Sequence, residues 1–266
     1  MGMALRYERR GSGEPLVLIH GIAHRWQAWE PVLDRLAAHH DVIAVDLPGF
    51  GASPRLPPHE NGRTTGIPVL LAALVEFLAE HGLDRPHVAG NSLGGALALE
   101  LGAGEHARSV TALSPAGFAS RPQGWWALAL LIQHRAATYL PTPLLRWWLA
   151  SPARRAASMR LLMSRPQALS PQRALGDALA MRRGKGFMST ARGLRGYGFA
   201  GLPAVPVTIA WGDRDRILVP RQAERARLLL PDARHVLLAG CGHVPMGDDA
   251  DLVATTILET TRAGGG

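Results

Sequence analysis

A serine hydroxyl attacks a carbonyl only when a neighbouring base can take its proton, and that base works best when a carboxylate holds its ring. The 266-residue sequence offers these three groups in suitable places. Ser92 stands in Gly90-Asn91-Ser92-Leu93-Gly94, followed by a further Gly95. A short β-type run from His87 enters this segment, and the alanine- and leucine-rich Ala96 to Gly104 leaves it with helical character. A strand-to-helix turn this sharp has no room for side chains at its flanks, which accounts for the glycines and lifts the serine hydroxyl clear. The helix start aims free N–H groups and its positive dipole end at whatever the serine attacks.

For the base, His243 lies in Gly240-Cys241-Gly242-His243, just past an expected strand from His235 to Leu238. None of the other ten histidines follows a strand so late in the chain. For the acid, Asp213 and Asp215 both lie past an expected strand from Val207 to Trp211, and spacing alone leaves both open. No carboxylate directly follows the expected strand Val110 to Leu113, which removes one other place for it. Ser92, Asp215 and His243 would all sit past the carboxyl ends of their strands, where open α/β sheets bind ligands. Cys241 has no base spaced to activate it and reads as packing. There is no metal-ligand spacing and no phosphate-cradling glycine loop, so neither a metal nor a cofactor is expected.

The elements that must position these groups follow from periodicity. A weak strand is expected over Leu5 to Arg9 and buried strands over Pro15 to His20 and Val42 to Leu47. Helices are expected over Trp26 to Ala38, Val69 to Ala79, Arg221 to Leu229 and Asp249 to Thr261, with a Pro- and Gly-rich loop from Ser53 to Gly62. Strand–helix alternation of this kind predicts a mostly parallel sheet covered on both faces. It stops between Ala119 and Ala200, where short helical runs are cut by prolines and no strand is evident. The domain reading is therefore a core of residues 1–118 and 201–266 carrying a helical insert, 119–200.

These pieces resemble the α/β-hydrolase superfamily over nearly the whole chain. The matching segments are His20-Gly21, Asp46-Leu47-Pro48-Gly49-Phe50-Gly51-Ala52-Ser53, Gly90 to Gly95, Trp211 to Asp215, and Gly242-His243-Val244-Pro245. The resemblance implies a Ser-His-Asp triad, and it places the acid at Asp215, four residues past Trp211, leaving Asp213 to shape the turn. It also implies an oxyanion hole made by the backbone N–H groups of Ile22 and Leu93 and bracing of that loop by His20. The insert becomes a cap over the nucleophile, with His24, Trp125 and Trp126 expected at the substrate pocket. The function so implied is a serine esterase acting on apolar acyl esters through an acyl-enzyme. A carbon–carbon bond hydrolase of ring-cleavage products, a cofactor-free perhydrolase and a hydrolase-fold ligand-binding protein stay open beside it.

Composition sets the remaining bounds. A single cysteine excludes an internal disulfide and suits a reducing compartment. The apolar run Leu16 to Ile19 behind Arg6, Arg9 and Arg10 is too short for a signal segment or a membrane span, so a cytoplasmic chain is expected. The net charge of +8 is unevenly spread: residues 119–200 hold twelve Arg and Lys185 against Asp177 alone, a balance of +12, leaving −4 for the rest. A solvated face is the first reading of these cations. Weak contact with an anionic membrane surface is the second. Nucleic acid is not expected, because the arginines are scattered among apolar residues and do not form a stripe.

Overall fold

Between Pro15 and Ile19 every side chain but the first is buried, which requires cover on both faces of the strand. The computed structural model, which describes residues 4–56 and 66–265, supplies that cover. Leu16 and Leu18 pack with Trp29, Val32, Leu33 and Ile257 on one face. Val17 and Ile19 pack with Leu74, Phe77 and Leu97 on the other. The alternation follows the two-residue period of a strand.

The strands are β1 (Tyr7–Arg10), β2 (Pro15–Ile19), β3 (Asp41–Val45), β4 (His87–Asn91), β5 (Ser109–Leu113), β6 (Val207–Gly212) and β7 (Arg234–Leu238). They form one sheet in the order β1-β3-β2-β4-β5-β6-β7. All neighbours are parallel except β1, which pairs antiparallel with β3. The helices of the core are α1 (Glu30–Ala37), α2 (Ile67–Glu80) and α3 (Leu93–Ala103). Between β5 and β6 come α4 (Arg121–Ala137), α5 (Thr142–Ala150), α6 (Pro152–Met159), α7 (Pro171–Arg183) and α8 (Phe187–Gly193). The core resumes with α9 (Arg221–Leu229) and α10 (Ala250–Ala263). This is the α/β-hydrolase fold, a mostly parallel sheet with helices on both faces.

The chain leaves β2 toward β3 on one side and returns to β4 on the other, which opens a crevice above the carboxyl ends of β2 and β4. Several expected boundaries shift for local reasons. The helix expected from Trp26 opens as a 3₁₀ turn over Trp26–Trp29, and Pro31 in the first turn of α1 restarts it as an α-helix. The helix expected from Ala96 begins at Leu93, directly after the serine. Asp249 does not enter α10 but caps it, accepting the N–H of Leu252 at 3.0 Å. Of the loop expected over Ser53 to Gly62, residues 57–62 lie outside the described residues. The helices between β5 and β6 bury a small cluster of their own, Leu149, Met159, Ala174 and Ala178.

Candidate active site

At the end of β4 the chain turns into α3 through Ser92, whose φ of 59° lies in the left-handed region. A non-glycine residue holds that conformation only when its surroundings fix it. Here the Ser92 N–H donates to the Leu113 carbonyl at 3.0 Å, and its own carbonyl accepts from Ala96 at 3.1 Å and Ala116 at 3.0 Å. A Cβ on Gly90 would strike the Gly94 carbonyl, and one on Gly94 would strike that of Ile19. The glycines therefore allow the elbow to press against β2.

His243 is carried by the loop after β7, and its Nδ1 lies 2.8 Å from Oδ2 of Asp215. Both side chains are buried. The other oxygen of Asp215 accepts the N–H groups of Ile217 at 2.8 Å and Leu218 at 2.9 Å. All three bonds aim the carboxylate and leave it little freedom to rotate. Trp211 steadies the same loop by donating Nε1–H to the Leu218 carbonyl at 2.8 Å. Asp213 points elsewhere and accepts the Gly240 N–H at 2.8 Å, tying the turn after β6 to the loop after β7.

The histidine loop is brought to the serine by a residue that the motif alone does not assign. Asn91 donates Nδ2–H to the His243 carbonyl at 2.9 Å and to the Leu113 carbonyl at 3.1 Å. Since Asn91 precedes Ser92, this bond joins the two candidate groups through one side chain. Asp248 does similar work from behind, accepting the N–H groups of Gly242 at 2.7 Å, Ser164 at 3.0 Å and Arg165 at 2.6 Å. It fastens the histidine loop to the segment after α6. No sequence pattern pointed to this role.

The loop after β2 closes the other side. A Cβ on Gly21 would come within 3.2 Å of the Ser92 Cβ, and Ala23 turns the chain with a φ of 65°. Among the described residues, the backbone N–H groups of Ile22 and Leu93 donate no hydrogen bond within the protein. His20 lies beneath them, accepting the Leu47 N–H on Nε2 at 2.9 Å, which leaves Nδ1–H to donate to the Gly21 carbonyl at 2.7 Å. Complete burial pushes its pKa down to about 3, so the ring is neutral and structural. Burial also lowers that of His24, whose Nδ1 has no partner among the described residues.

Next to His24, the Arg25 guanidinium reaches Asp177 of α7 at 3.4 Å. Arg173, one turn earlier, holds the same carboxylate at 2.9 Å and also meets Glu30 and the Gln27 carbonyl. Asp177, the one acidic residue of the 119–200 segment, is thus spent on joining α7 to the loop after β2. Trp125 and Trp126 stand on α4 at 57% and 60% exposed, with the Arg195 guanidinium 4.8 Å over the Trp125 ring. Cys241 is buried behind the histidine, and burial pushes its thiol up to about 12, leaving it inert. Among the described residues no group of three or more His, Cys, Asp or Glu could hold a metal ion, and no helix is long and apolar enough to cross a membrane.

A serine on an elbow and a histidine–carboxylate pair stand here above a doubly covered parallel sheet, and known proteins share that fold. Residues 16–256 match the alpha/beta hydrolase family, and the chain belongs to it. It is 27% identical over 281 residues to Lipase 1 of Psychrobacter immobilis, covering 98% of this chain and 83% of that one. It is 29% identical over 266 residues to the dihydrolipoyllysine-residue acetyltransferase component of the acetoin cleaving system of Cupriavidus necator. That match covers 94% of this chain but only 64% of the relative. Among solved structures, a thermophilic esterase from Thermogutta terrifontis superposes with a TM-score of 0.75 at 19% identity, covering 98% of this chain and 94% of that one.

Proposed function

We propose that the chain is a serine esterase of apolar acyl esters, working through Ser92, His243 and Asp215. The observation that carries this reading is the Asp215–His243 pair at 2.8 Å on a loop tied to Asn91, the residue before Ser92. In the first step His243 Nε2 takes the Ser92 proton as Oγ attacks the ester carbonyl. Asp215 keeps Nδ1 protonated and stabilises the imidazolium that forms. The Ile22 and Leu93 N–H groups receive the oxyanion in the tetrahedral intermediate. As the intermediate collapses, His243 returns the proton to the leaving alkoxide, and the acyl group stays on Ser92. A water, deprotonated by His243, then attacks the acyl carbon, and the carboxylic acid and free serine are released. His24 lies on the loop that carries Ile22 and would border the acyl pocket, while the helices 119–200 would cap it, with Trp125 and Trp126 as the surface side chains first met by substrate.

The test is a p-nitrophenyl ester panel run on the wild type and three variants. Ser92→Ala and His243→Ala are each expected to lower kcat on the order of a millionfold with an unchanged melting temperature. Asp215→Asn is expected to lose about ten-thousandfold. Turnover confined to dienoate diketones would instead assign carbon–carbon bond hydrolysis. Tight ligand binding without turnover would make the fold a binding module.

A further inference from the structure

Helix α4 turns apolar residues outward. Trp125, Ala129, Ile132, Ala136 and, just past its end, Tyr139 recur every three or four residues, which lines them up along one face, and all five are exposed. The large ones are 57%, 41% and 57% exposed, while the whole helix hides only Ala127. The line runs for about 21 Å at helical rise. Helix α5 behaves alike: Leu145 and Leu149 face inward, and Leu144, Trp147 and Trp148 are exposed, with the Arg154 guanidinium over the Trp147 ring at 4.1 Å and Trp148 Nε1–H donating to Ser158 at 3.0 Å. Ile132, Tyr139, Phe187 and Met188 share an open, mostly apolar groove. Aromatic side chains in such numbers on a free surface mark a contact site.

Apart from Arg195, which lies over the Trp125 ring, the cations of the same segment divide in two. Arg135, Arg154, Arg155, Arg165, Arg173 and Arg182 are occupied with backbone carbonyls or carboxylates. Among the described residues, the side chains of Arg121, Arg146, Arg160, Arg183, Lys185 and Arg192 have no hydrogen-bond or ion-pair partner, and all six are exposed. Arg135 binds the carbonyls of Met181, Arg182 and Gly184, which sets Arg183 and Lys185 beside the lower half of the apolar line. Arg146 stands next to Trp147 in α5, and no unspent carboxylate belongs to the segment.

We infer that α4 and α5 form a docking surface for an anionic lipid bilayer. The apolar line enters the boundary between headgroups and acyl chains, where Trp and Tyr rings are at home. Arg146, Arg183 and Lys185 meet the lipid phosphates. Charge selects this occupant over a second copy of the chain, since two such segments face to face would set +12 against +12. The binding so formed is superficial and reversible. It does not depend on the esterase reading, because it can be measured on Ser92→Ala protein.

The experiment is co-sedimentation with vesicles of phosphatidylglycerol and phosphatidylcholine in equal parts, and of phosphatidylcholine alone, at low and high salt. The wild type should bind the anionic vesicles at low salt, leave them at high salt, and ignore the neutral ones. Arg146→Gln/Arg183→Gln/Lys185→Gln should weaken that binding on the order of a hundredfold. Ile132→Gln/Tyr139→Gln/Trp147→Gln should weaken it at least about tenfold. Both triple variants should keep wild-type turnover of soluble p-nitrophenyl butyrate. Should either fail to fold, quenching of wild-type tryptophan fluorescence by brominated anionic lipid gives the same answer without a variant. Equal partitioning on anionic and neutral vesicles, or triple variants that bind like the wild type, would overturn the inference. So would a concentration-dependent dimer that disappears in the Ile132 triple variant while vesicles are never bound, since the surface would then belong to a second copy.

Discussion

Asp213 and Asp215 carry the same carboxylate two positions apart, yet their surroundings give them different work. Asp215 is 3% exposed and faces His243, whereas Asp213 holds a loop N–H at the surface. Asp213→Asn keeps an acceptor for Gly240 and is expected to cost less than about tenfold in kcat, against about ten-thousandfold for Asp215→Asn. The reverse order in steady-state kinetics would move the acid to Asp213. His20 makes a prediction about acid. Folded His20 stays neutral down to about pH 3, while its ordinary value is 6.5, so the unfolded chain binds the extra proton first. Its stabilising contribution is therefore whole above pH 6.5 and is lost as pH falls toward 3, by about 1.4 kcal/mol per pH unit. Urea unfolding of His20→Gln between pH 5 and 7 should show a shallower decline than the wild type, and parallel curves would contradict the assignment.

Among the elements, the link between α7 and the loop after β2 would, in the proposed reaction, couple the helices 119–200 to the N–H group of Ile22. Arg25 is three residues past Ile22 and is held by Asp177, so movement of α7 is felt where the oxyanion would sit. Asp177→Asn is expected to lower kcat for a short soluble ester roughly tenfold with KM nearly unchanged, and Asp177→Glu to recover part of it. A purely structural role would lower the melting temperature and leave kcat alone. This link also shows where sequence reading stops. The strands, the elbow and most helices were legible because their signals are local: an apolar run, a glycine pair, a capping residue. Asn91–His243 and Arg25–Asp177 each join residues 152 apart, and Ser164–Asp248 joins residues 84 apart. No period or spacing encodes such bonds; only the folded sheet brings them together. The insert arginines are a similar case. As letters they look alike, and the structure separates those that hold carbonyls from those in solvent. The 3₁₀ turn before α1 escaped because Trp26–Trp29 has helical spacing, and only Pro31 marks the restart.

For the molecule as a whole, the separation of +12 on the insert from −4 on the core makes a strong dipole across the chain. Opposite charges attract between the two parts, as Arg173–Glu30 and Arg165–Asp249 illustrate at their border. Salt should therefore loosen the insert before it touches the core. Limited proteolysis at rising ionic strength is expected to cut first within residues 119–200, and equal cutting of core and insert would contradict this. The same molecule holds a probe that needs no engineering. Its sole thiol, Cys241, is fully buried against the histidine loop, in the same cluster as Met163 and Met246. A thiol reagent can reach it only when that loop lifts away from the sheet. The rate of its labelling then reads how often the loop opens, so one colour reaction in plain buffer becomes a stopwatch for the breathing of the whole site.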